Sequence, residues 1–250
     1  MRYELSHLRR RLDTFVWALL PGICILCNAR SNVAADLCEA CRISLPWIEH
    51  PCRRCALPLS ESDREVCAAC HARPPPFLRT IAALRYVEPV TRMIHRLKFN
   101  GSRIDARVIG GLLAERIHSA YRSGEMPDLI VPVPLNRARL LRRGHNQSAL
   151  LARWVGPAID IPIDFRSCQR IRHTPPQTGL RRTARLHNLA DAFGVTRSFA
   201  GISVAVVDDV MTTGSTVTAL TRTLIEAGAD EVHIWAAART PQPDSVTAVP

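Results

Sequence analysis

The stretch Val204-Ala-Val-Val-Asp208-Asp209-Val-Met-Thr212-Thr213-Gly214-Ser215-Thr216 decides the fold. Its apolar start reads as a buried strand. Two adjacent carboxylates follow, and a Thr/Gly/Ser loop then leads into helical periodicity over residues 216–227, closed by Gly228. The backbone N–H groups of such a loop, together with the positive end of the helix dipole, form a phosphate cradle. The hydroxyls of Thr212, Thr213, Ser215 and Thr216 add donors. Carboxylates repel phosphate, so Asp208 and Asp209 suit neighbouring sugar hydroxyls or a bridging metal instead. A sugar phosphate satisfies both halves of the stretch. The sequence holds neither G-x-x-x-x-G-K-[ST] nor G-x-G-x-x-G, which removes the usual support for nucleoside triphosphatase and dinucleotide readings.

Working outward, apolar periodicity alternates between strand and helix. Residues 81–86, 129–133, 202–207 and 232–237 read as strands, and 103–123 and 147–155 as helices. This alternation predicts an α/β domain, a mostly parallel sheet with helices on both faces, with ligands at the carboxyl ends of the strands.

The first third of the chain has a different composition. Eight of the nine cysteines form four C-x-x-C pairs, Cys24/Cys27, Cys38/Cys41, Cys52/Cys55 and Cys67/Cys70. Two such knuckles complete a tetrahedral shell of four thiolates, so eight ligands predict two closed zinc sites with a structural role. Nearly equal gaps leave sequential and interlaced pairing of the knuckles open, with sequential pairing preferred. Paired C-x-x-C spacing, a ninth cysteine at Cys168 and no cleavable leader favour metal over disulfides and predict a reducing, cytoplasmic setting. With little apolar content over 24–70, zinc is expected to supply much of the stability there. Cys168 itself reads as a small core residue.

Segment boundaries follow from these patterns. Leu5, Leu8, Leu12, Phe15 and Leu19 predict an amphipathic N-terminal helix over 1–22, followed by a double cysteine module over 23–73. Arg73-Pro-Pro-Pro76 reads as a stiff linker to the α/β domain at 77–250. A membrane span is excluded, since no apolar run approaches ~20 residues. The 250 residues carry a formal charge of +11, and of 33 basic residues only Lys98 is a lysine. Residues 130–190 hold eleven arginines against two acids, which places an anion site there. Four thiolates around zinc net −2, so two filled sites lower the working charge to about +7.

Taken together, the motifs carry a resemblance. Residues 204–216 resemble the phosphoribosyl pyrophosphate signature of type I phosphoribosyltransferases. The cysteine pairs, Arg85-Tyr86, Leu97-Lys98-Phe99, Val131-Pro-Val-Pro134, Arg143-Gly-His-Asn-Gln147, Thr174-Pro-Pro-Gln177 and Arg185-Leu-His-Asn188 together resemble the ComF family, a double zinc ribbon followed by a phosphoribosyltransferase domain. The resemblance implies that Asp208 and Asp209 hold the ribose hydroxyls and that Thr212, Thr213, Gly214, Ser215 and Thr216 cradle the 5′-phosphate. It further implies that the turn after 129–133 approaches pyrophosphate, with Arg139, Arg142 and Arg143 nearby, and that Mg²⁺ bridges ligand oxygens. Residues 173–188 occupy the place of a closing loop, and among them Gln177, Arg181 and Arg185 join Arg143 as catalytic candidates. His145, His173 and His187 are candidates for a base by location only, and Tyr86, Lys98 and Phe99 read more readily as packing and surface groups. The implied activity is transfer of phosphoribosyl to an unidentified acceptor, with a role in DNA uptake. The alternative is a non-catalytic, ligand-regulated competence factor that binds single-stranded DNA or DNA-uptake proteins. A third reading is a purine-salvage enzyme with an unrelated zinc appendage.

Overall fold

The structure, a computed structural model, describes residues 22–31, 36–60, 65–121, 125–171 and 192–241. The expected helix over 1–22 lies almost wholly outside the described residues, and the expected closing loop 173–188 lies outside them entirely. The chain divides into two compact units, one up to Leu45 and one from Pro46 onward.

In the first unit, β1 (Gly22–Ile23) and β2 (Arg30–Ser31) pair antiparallel, and α1 (Glu39–Ile43) follows. Cys24, Cys27, Cys38 and Cys41 place their sulfurs within 4.8 Å of one another. The knuckles are closed by the backbone: Asn28 N–H donates to the Cys24 carbonyl and Arg42 N–H to the Cys38 carbonyl, each at 2.9 Å. Asn28 takes a left-handed conformation, φ 60°.

The second unit opens with the same device. Ala56 N–H donates to Cys52 O at 2.8 Å and His71 N–H to Cys67 O at 2.9 Å, and Ala56 has φ 52°. Cys67 caps α2 (Ala68–Ala72) as Cys38 caps α1. The sulfurs of Cys52, Cys55, Cys67 and Cys70 also lie within 4.8 Å of one another, so the knuckles pair sequentially in both clusters. In this second cluster all four cysteines are buried. They share one apolar cluster with Ile48, Leu57 and Phe77 and with the sheet residues Ala82, Val131, Val204, Val206 and Ile234. This half of the cysteine segment thus does not rely on its own sparse apolar content.

After α2 come β3 (Arg79–Arg85), α3 (Val90–Asn100), α4 (Arg103–Ala120), β4 (Leu129–Pro132), α5 (Arg137–Arg143), α6 (Gln147–Ile159), β5 (Cys168–Arg170), β6 (Phe193–Val195), β7 (Ser203–Met211), α7 (Ser215–Glu226) and β8 (Glu231–Arg239). The main sheet is parallel throughout, in the order β3-β8-β7-β4, and β5 and β6 form a separate antiparallel pair. Val204 and Val206 of β7 and Ile234 and Ala236 of β8 point to one face, where Val217, Leu220 and Leu224 of α7 pack. The opposite face is covered by α4 and α6. There the Tyr121 hydroxyl, just past α4, meets His233 Nδ1 at 2.8 Å and accepts from Trp235 Nε1 at 3.0 Å. Both faces of the sheet are therefore covered, as a parallel sheet requires. Among the described residues no helix is long and apolar enough to cross a membrane.

Two differences from the sequence reading bear on function. Strand β7 does not end at Val207 but runs through the acid pair to Met211, because Asp208, Val210 and Met211 pair with Ala236, Ala238 and Arg239 of β8. The sequence reading also assigns no element to residues 90–100, which form α3. Arg96 of α3 clasps buried Asp105 of α4 bidentately, at 2.7 and 2.8 Å, and Ser102 caps α4 by accepting from Asp105 N–H. Gly101, at φ 62°, makes the turn between them.

The contrast between the clusters gives a stability prediction. Cys70→Ser is expected to lower the melting temperature of the sheet unit by about 10 °C, a loss of roughly 3–5 kcal/mol at ~2–4 °C per kcal/mol. Cys41→Ser is expected to leave that transition within about 2 °C. Scanning calorimetry of the full chain checks both.

Candidate functional site

The site forms where the carboxyl ends of β7 and β4 lie side by side. After β4 the chain turns to α6 on one face of the sheet, and after β7 it turns to α7 on the other. Neighbouring strands whose connections part in this way leave a crevice at their ends. A cleft of about 210 Å³ opens there, lined by Asp208, Met211, Thr212, Gly214, Ser215 and Thr216.

Asp208 and Asp209 are both buried, at 8% and 4% exposure, although each carries a carboxylate. Their charge is met from three elements. Lys98 of α3 places Nζ 2.7 Å from Asp209 Oδ2. The Ser148 hydroxyl of α6 donates to Asp208 Oδ1 at 3.1 Å, and Gln147 Nε2 lies 3.5 Å from Asp209 Oδ1. The Asp209 N–H also donates to Asp208 Oδ1, at 2.9 Å. Burial first, and then the adjoining Asp209 carboxylate, push Asp208 up to about 8, with Lys98 opposing both. At Lys98 burial alone would lower the ammonium, but Asp209 and then Asp208 more than offset it and hold it above its ordinary value.

The motif 143–147 has a physical role at each position. Arg143 ends α5, and its Nη1 lies 3.3 Å from Gln147 Oε1, with the guanidinium over the Phe99 ring at 5.0 Å. Burial lowers its pKa, Asp209 opposes that effect, and Arg139 and Arg142 add to it. Gly144 closes α5 at φ 73°. The ring of His145 joins two helix ends, with Nδ1 2.8 Å from Arg143 O and Nε2 2.9 Å from Leu97 O. Both ring nitrogens thus lie beside backbone carbonyls, which makes His145 a tether between the end of α5 and the Lys98 helix. Asn146 caps α6 through its Oδ1 and ties it to β4 by donating Nδ2–H to Val133 O at 3.0 Å.

The phosphate-loop candidates lie directly beyond the acids. Gly214 caps α7 at φ 76°, a left-handed conformation that favours glycine at this turn. The hydroxyls of Thr213 and Ser215 meet at 2.8 Å, and Thr212 and Thr213 are exposed. The first-turn N–H groups of α7 have no partner four residues back within the helix and point at whatever fills the turn.

Both cysteine clusters fit zinc. Cys27 and Cys38 place their sulfurs 3.7 Å apart, and Cys55 and Cys67 3.8 Å apart. The edge of a tetrahedron of ~2.3 Å Zn–S bonds is ~3.8 Å. In the second cluster a hydrogen bond from the Cys55 thiol pushes Cys52 down to about 4, while burial pushes Cys70 up to about 12. Four sulfurs this close become thiolates together only around a cation. Cys168 is buried away from both clusters, its thiol also pushed up to about 12 by burial.

Comparison with known proteins places this architecture. Residues 15–71 match the double zinc ribbon domain family. The chain is 34% identical to the DNA utilization protein YhgH of Salmonella typhimurium over 228 residues, which is 88% of this chain and 98% of that protein. It is 32% identical to competence protein F of Haemophilus influenzae, over 86% of this chain and 96% of that one. The chain belongs to the ComF family. The competence protein ComFC of Bacillus subtilis is 28% identical over 82% of this chain and 90% of that one. Among solved structures this ComF chain is similar to a purine phosphoribosyltransferase from Pyrococcus horikoshii, with 21% identity, 58% of this chain and 78% of that one covered, and a TM-score of 0.33.

Of the site residues expected from the sequence, the structure brings Asp208, Asp209, Thr212, Thr213, Gly214, Ser215, Thr216 and Arg143 to one end of the sheet. Gln177, Arg181 and Arg185, with His173 and His187, lie outside the described residues. Lys98 departs from its surface reading, because its amine is the counter-charge of Asp209. Sequence reasoning also missed Gln147 as a partner of Asp209, Ser148 as a partner of Asp208, and Arg170 of β5. Arg170 lies within the electrostatic reach of both Arg139 and Asp208, and burial lowers its pKa. A signal for Lys98 was available, since a lone lysine among 32 arginines is a choice of amine over guanidinium.

Removing one member of a buried pair leaves the other uncompensated, at roughly 3–5 kcal/mol for full burial. Lys98 remains a quarter exposed, so Lys98→Met is expected to destabilise by about 2 kcal/mol. The double variant Lys98→Met/Asp209→Asn is expected to recover most of that, as read by urea unfolding.

Proposed function

We propose that this ComF chain binds phosphoribosyl pyrophosphate and transfers its phosphoribosyl group to a nitrogen acceptor. The observation that carries the reading is the acid pair, buried, held by Lys98 and Ser148 and still with acceptor capacity to spare, set shortly before a glycine turn and a helix N-terminus. Ribose hydroxyls are the donors that suit Asp208 and Asp209, and the 5′-phosphate suits the 212–216 turn. Arg143 and Arg139 of α5, the helix that follows β4, are the proposed partners of pyrophosphate, where guanidinium forks match phosphate oxygens. Asp208 and Asp209 are the carboxylates that would hold Mg²⁺, which when bound would offset the negative charge gathering on the departing pyrophosphate.

In the proposed reaction the anomeric C–O bond breaks with its electron pair on pyrophosphate, and the acceptor nitrogen's lone pair forms the new C–N bond. The acceptor proton leaves to pyrophosphate or solvent. Positioning and stabilisation of the departing charge supply the acceleration.

A second reading, a ligand-regulated factor that handles single-stranded DNA, is supported by the names of the relatives and by the surface. Arg153 stands over Phe165 at 4.9 Å and Arg107 over Trp154 at 5.9 Å, and both aromatic residues are more than two-fifths exposed. Stacked arginines and exposed rings are the groups that hold unpaired bases.

Isothermal titration of the full chain with phosphoribosyl pyrophosphate and Mg²⁺ tests the first reading. Binding is expected, and Asp208→Asn or Asp209→Asn is expected to weaken it at least about tenfold. Burial and the adjoining Asp209 carboxylate raise the Asp208 pKa in the free protein, whereas ribose hydroxyls favour the ionised form. Binding therefore releases a proton, and affinity is expected to rise from pH 6 to pH 8. An absence of Mg²⁺-dependent binding would falsify the reading. For the second reading, Trp154→Ala and Phe165→Ala are expected to weaken anisotropy-detected binding of labelled oligo-dT, at about 1–3 kcal/mol per stacked base.

A further inference from the structure

Arg239, the last residue of β8, is 8% exposed, and among the described residues no carboxylate is paired with it. Its guanidinium donates to backbone carbonyls alone. Nε donates to Cys55 O at 2.9 Å, inside the second knuckle pair. Nη1 donates to Met211 O at 2.9 Å, to Thr240 O at 3.0 Å and to Thr212 O. One planar group therefore holds a cysteine-cluster carbonyl on one side and the first carbonyls of the candidate phosphate loop on the other. The Thr240 N–H donates to Met211 O as well, at 3.1 Å. The Met211 side chain packs in the same apolar cluster as Cys52, Cys55, Cys67 and Cys70.

We infer that Arg239 is a positioning residue that couples the second four-cysteine site to the 212–216 loop, so that metal held by the cysteines and an anion held by the loop stabilise one another. The inference rests on reading that loop as the phosphate site. The path is short and rigid. A metal held by Cys52, Cys55, Cys67 and Cys70 fixes the knuckle that ends at Ala56, the knuckle fixes the Cys55 carbonyl, and that carbonyl orients a guanidinium whose remaining donors set the direction of Met211 and Thr212. A guanidinium serves here where an ammonium cannot, because its donors diverge in one plane at fixed angles. The first cluster has no part in this link. Coupling between two sites is reciprocal in affinity, so an anion that holds the loop tightens metal binding at the second cluster by the factor by which metal tightens the anion site, and a more tightly held metal leaves more slowly.

The test uses the full-length chain with Cys38→Ser and Cys41→Ser, so that the second cluster alone holds zinc. Zinc release to a chromogenic chelator is timed with and without saturating phosphoribosyl pyrophosphate and Mg²⁺. The ligand is expected to slow release at least about fivefold. Arg239→Gln, checked for one zinc per chain and an unchanged circular dichroism spectrum, is expected to release zinc at a ligand-independent rate and to bind the ligand about tenfold more weakly. Arg239→Lys is expected to fall between, and it takes over the comparison if the glutamine variant does not fold. Equal release with and without ligand, in a chain that calorimetry shows to bind it, overturns the inference. So does a ligand effect that survives intact in Arg239→Gln. If the Arg239 chain binds no ligand, the functional reading fails, and the coupling is decided by amide exchange at residues 211–216. Exchange there is expected to accelerate at least about tenfold on zinc removal or in the Arg239 variants, with α4 unaffected, and unchanged exchange overturns the coupling.

Discussion

Two carboxylates cannot lie next to each other in a protein interior unless other groups share their charge, and the sheet unit is arranged around that constraint. Asp208 and Asp209 end up buried because β7 keeps its ladder with β8 beyond Val207. Their demands then fix the placement of α3, which brings the ammonium, and of α6, which brings a hydroxyl and an amide. The Arg96–Asp105 clasp and the His145 tether make sense in this light, since neither touches the acids but both hold α3 where Lys98 must be. Protein donors orient the two carboxylates while Asp209 Oδ2 keeps only its ion pair with Lys98, so the pair is preorganised with acceptor capacity left over.

The two cysteine clusters show how one ligand pattern serves two environments. Both use the same knuckle closure and a left-handed residue after the first pair. In the first unit Cys27 is exposed, whereas in the second all four sulfurs are walled by apolar side chains of the sheet unit. A buried four-thiolate site gives its knuckles a rigidity that a solvent-facing one lacks, and that rigidity is available to whatever the surrounding carbonyls hold.

Much of this was legible in the sequence. The C-x-x-C spacing is a direct record of tetrahedral geometry, so the metal ligands could be read residue by residue. The apolar runs at 129–133, 202–207 and 232–237 identify parallel strands because both of their faces are buried. The Thr-Thr-Gly-Ser-Thr turn is legible because its composition serves the backbone and not a core. The partners of the acids were harder to see. Lys98, Gln147 and Ser148 are separated from Asp208 and Asp209 by sixty residues or more, and nothing in a local pattern encodes a contact that exists only after α3 and α6 have packed. Arg239 was hidden differently: it closes an apolar strand, and its carbonyl partners leave no trace in side-chain composition. The extent of β7 was misjudged because charged residues usually end buried strands, whereas here hydrogen bonds from β8 override that tendency.

The near-absence of lysine has a chemical consequence of its own. Of 33 basic residues, 32 are arginines, which resist acylation at neutral pH, and the remaining one is Lys98. The protein's only side-chain amine therefore stands 2.7 Å from the acid pair. An acyl donor that reaches it erases a single positive charge, leaves every guanidinium intact and turns Asp209 into an unbalanced anion. Lysine-directed chemistry, wherever this protein meets it, has one side-chain address, and that address is the ligand site.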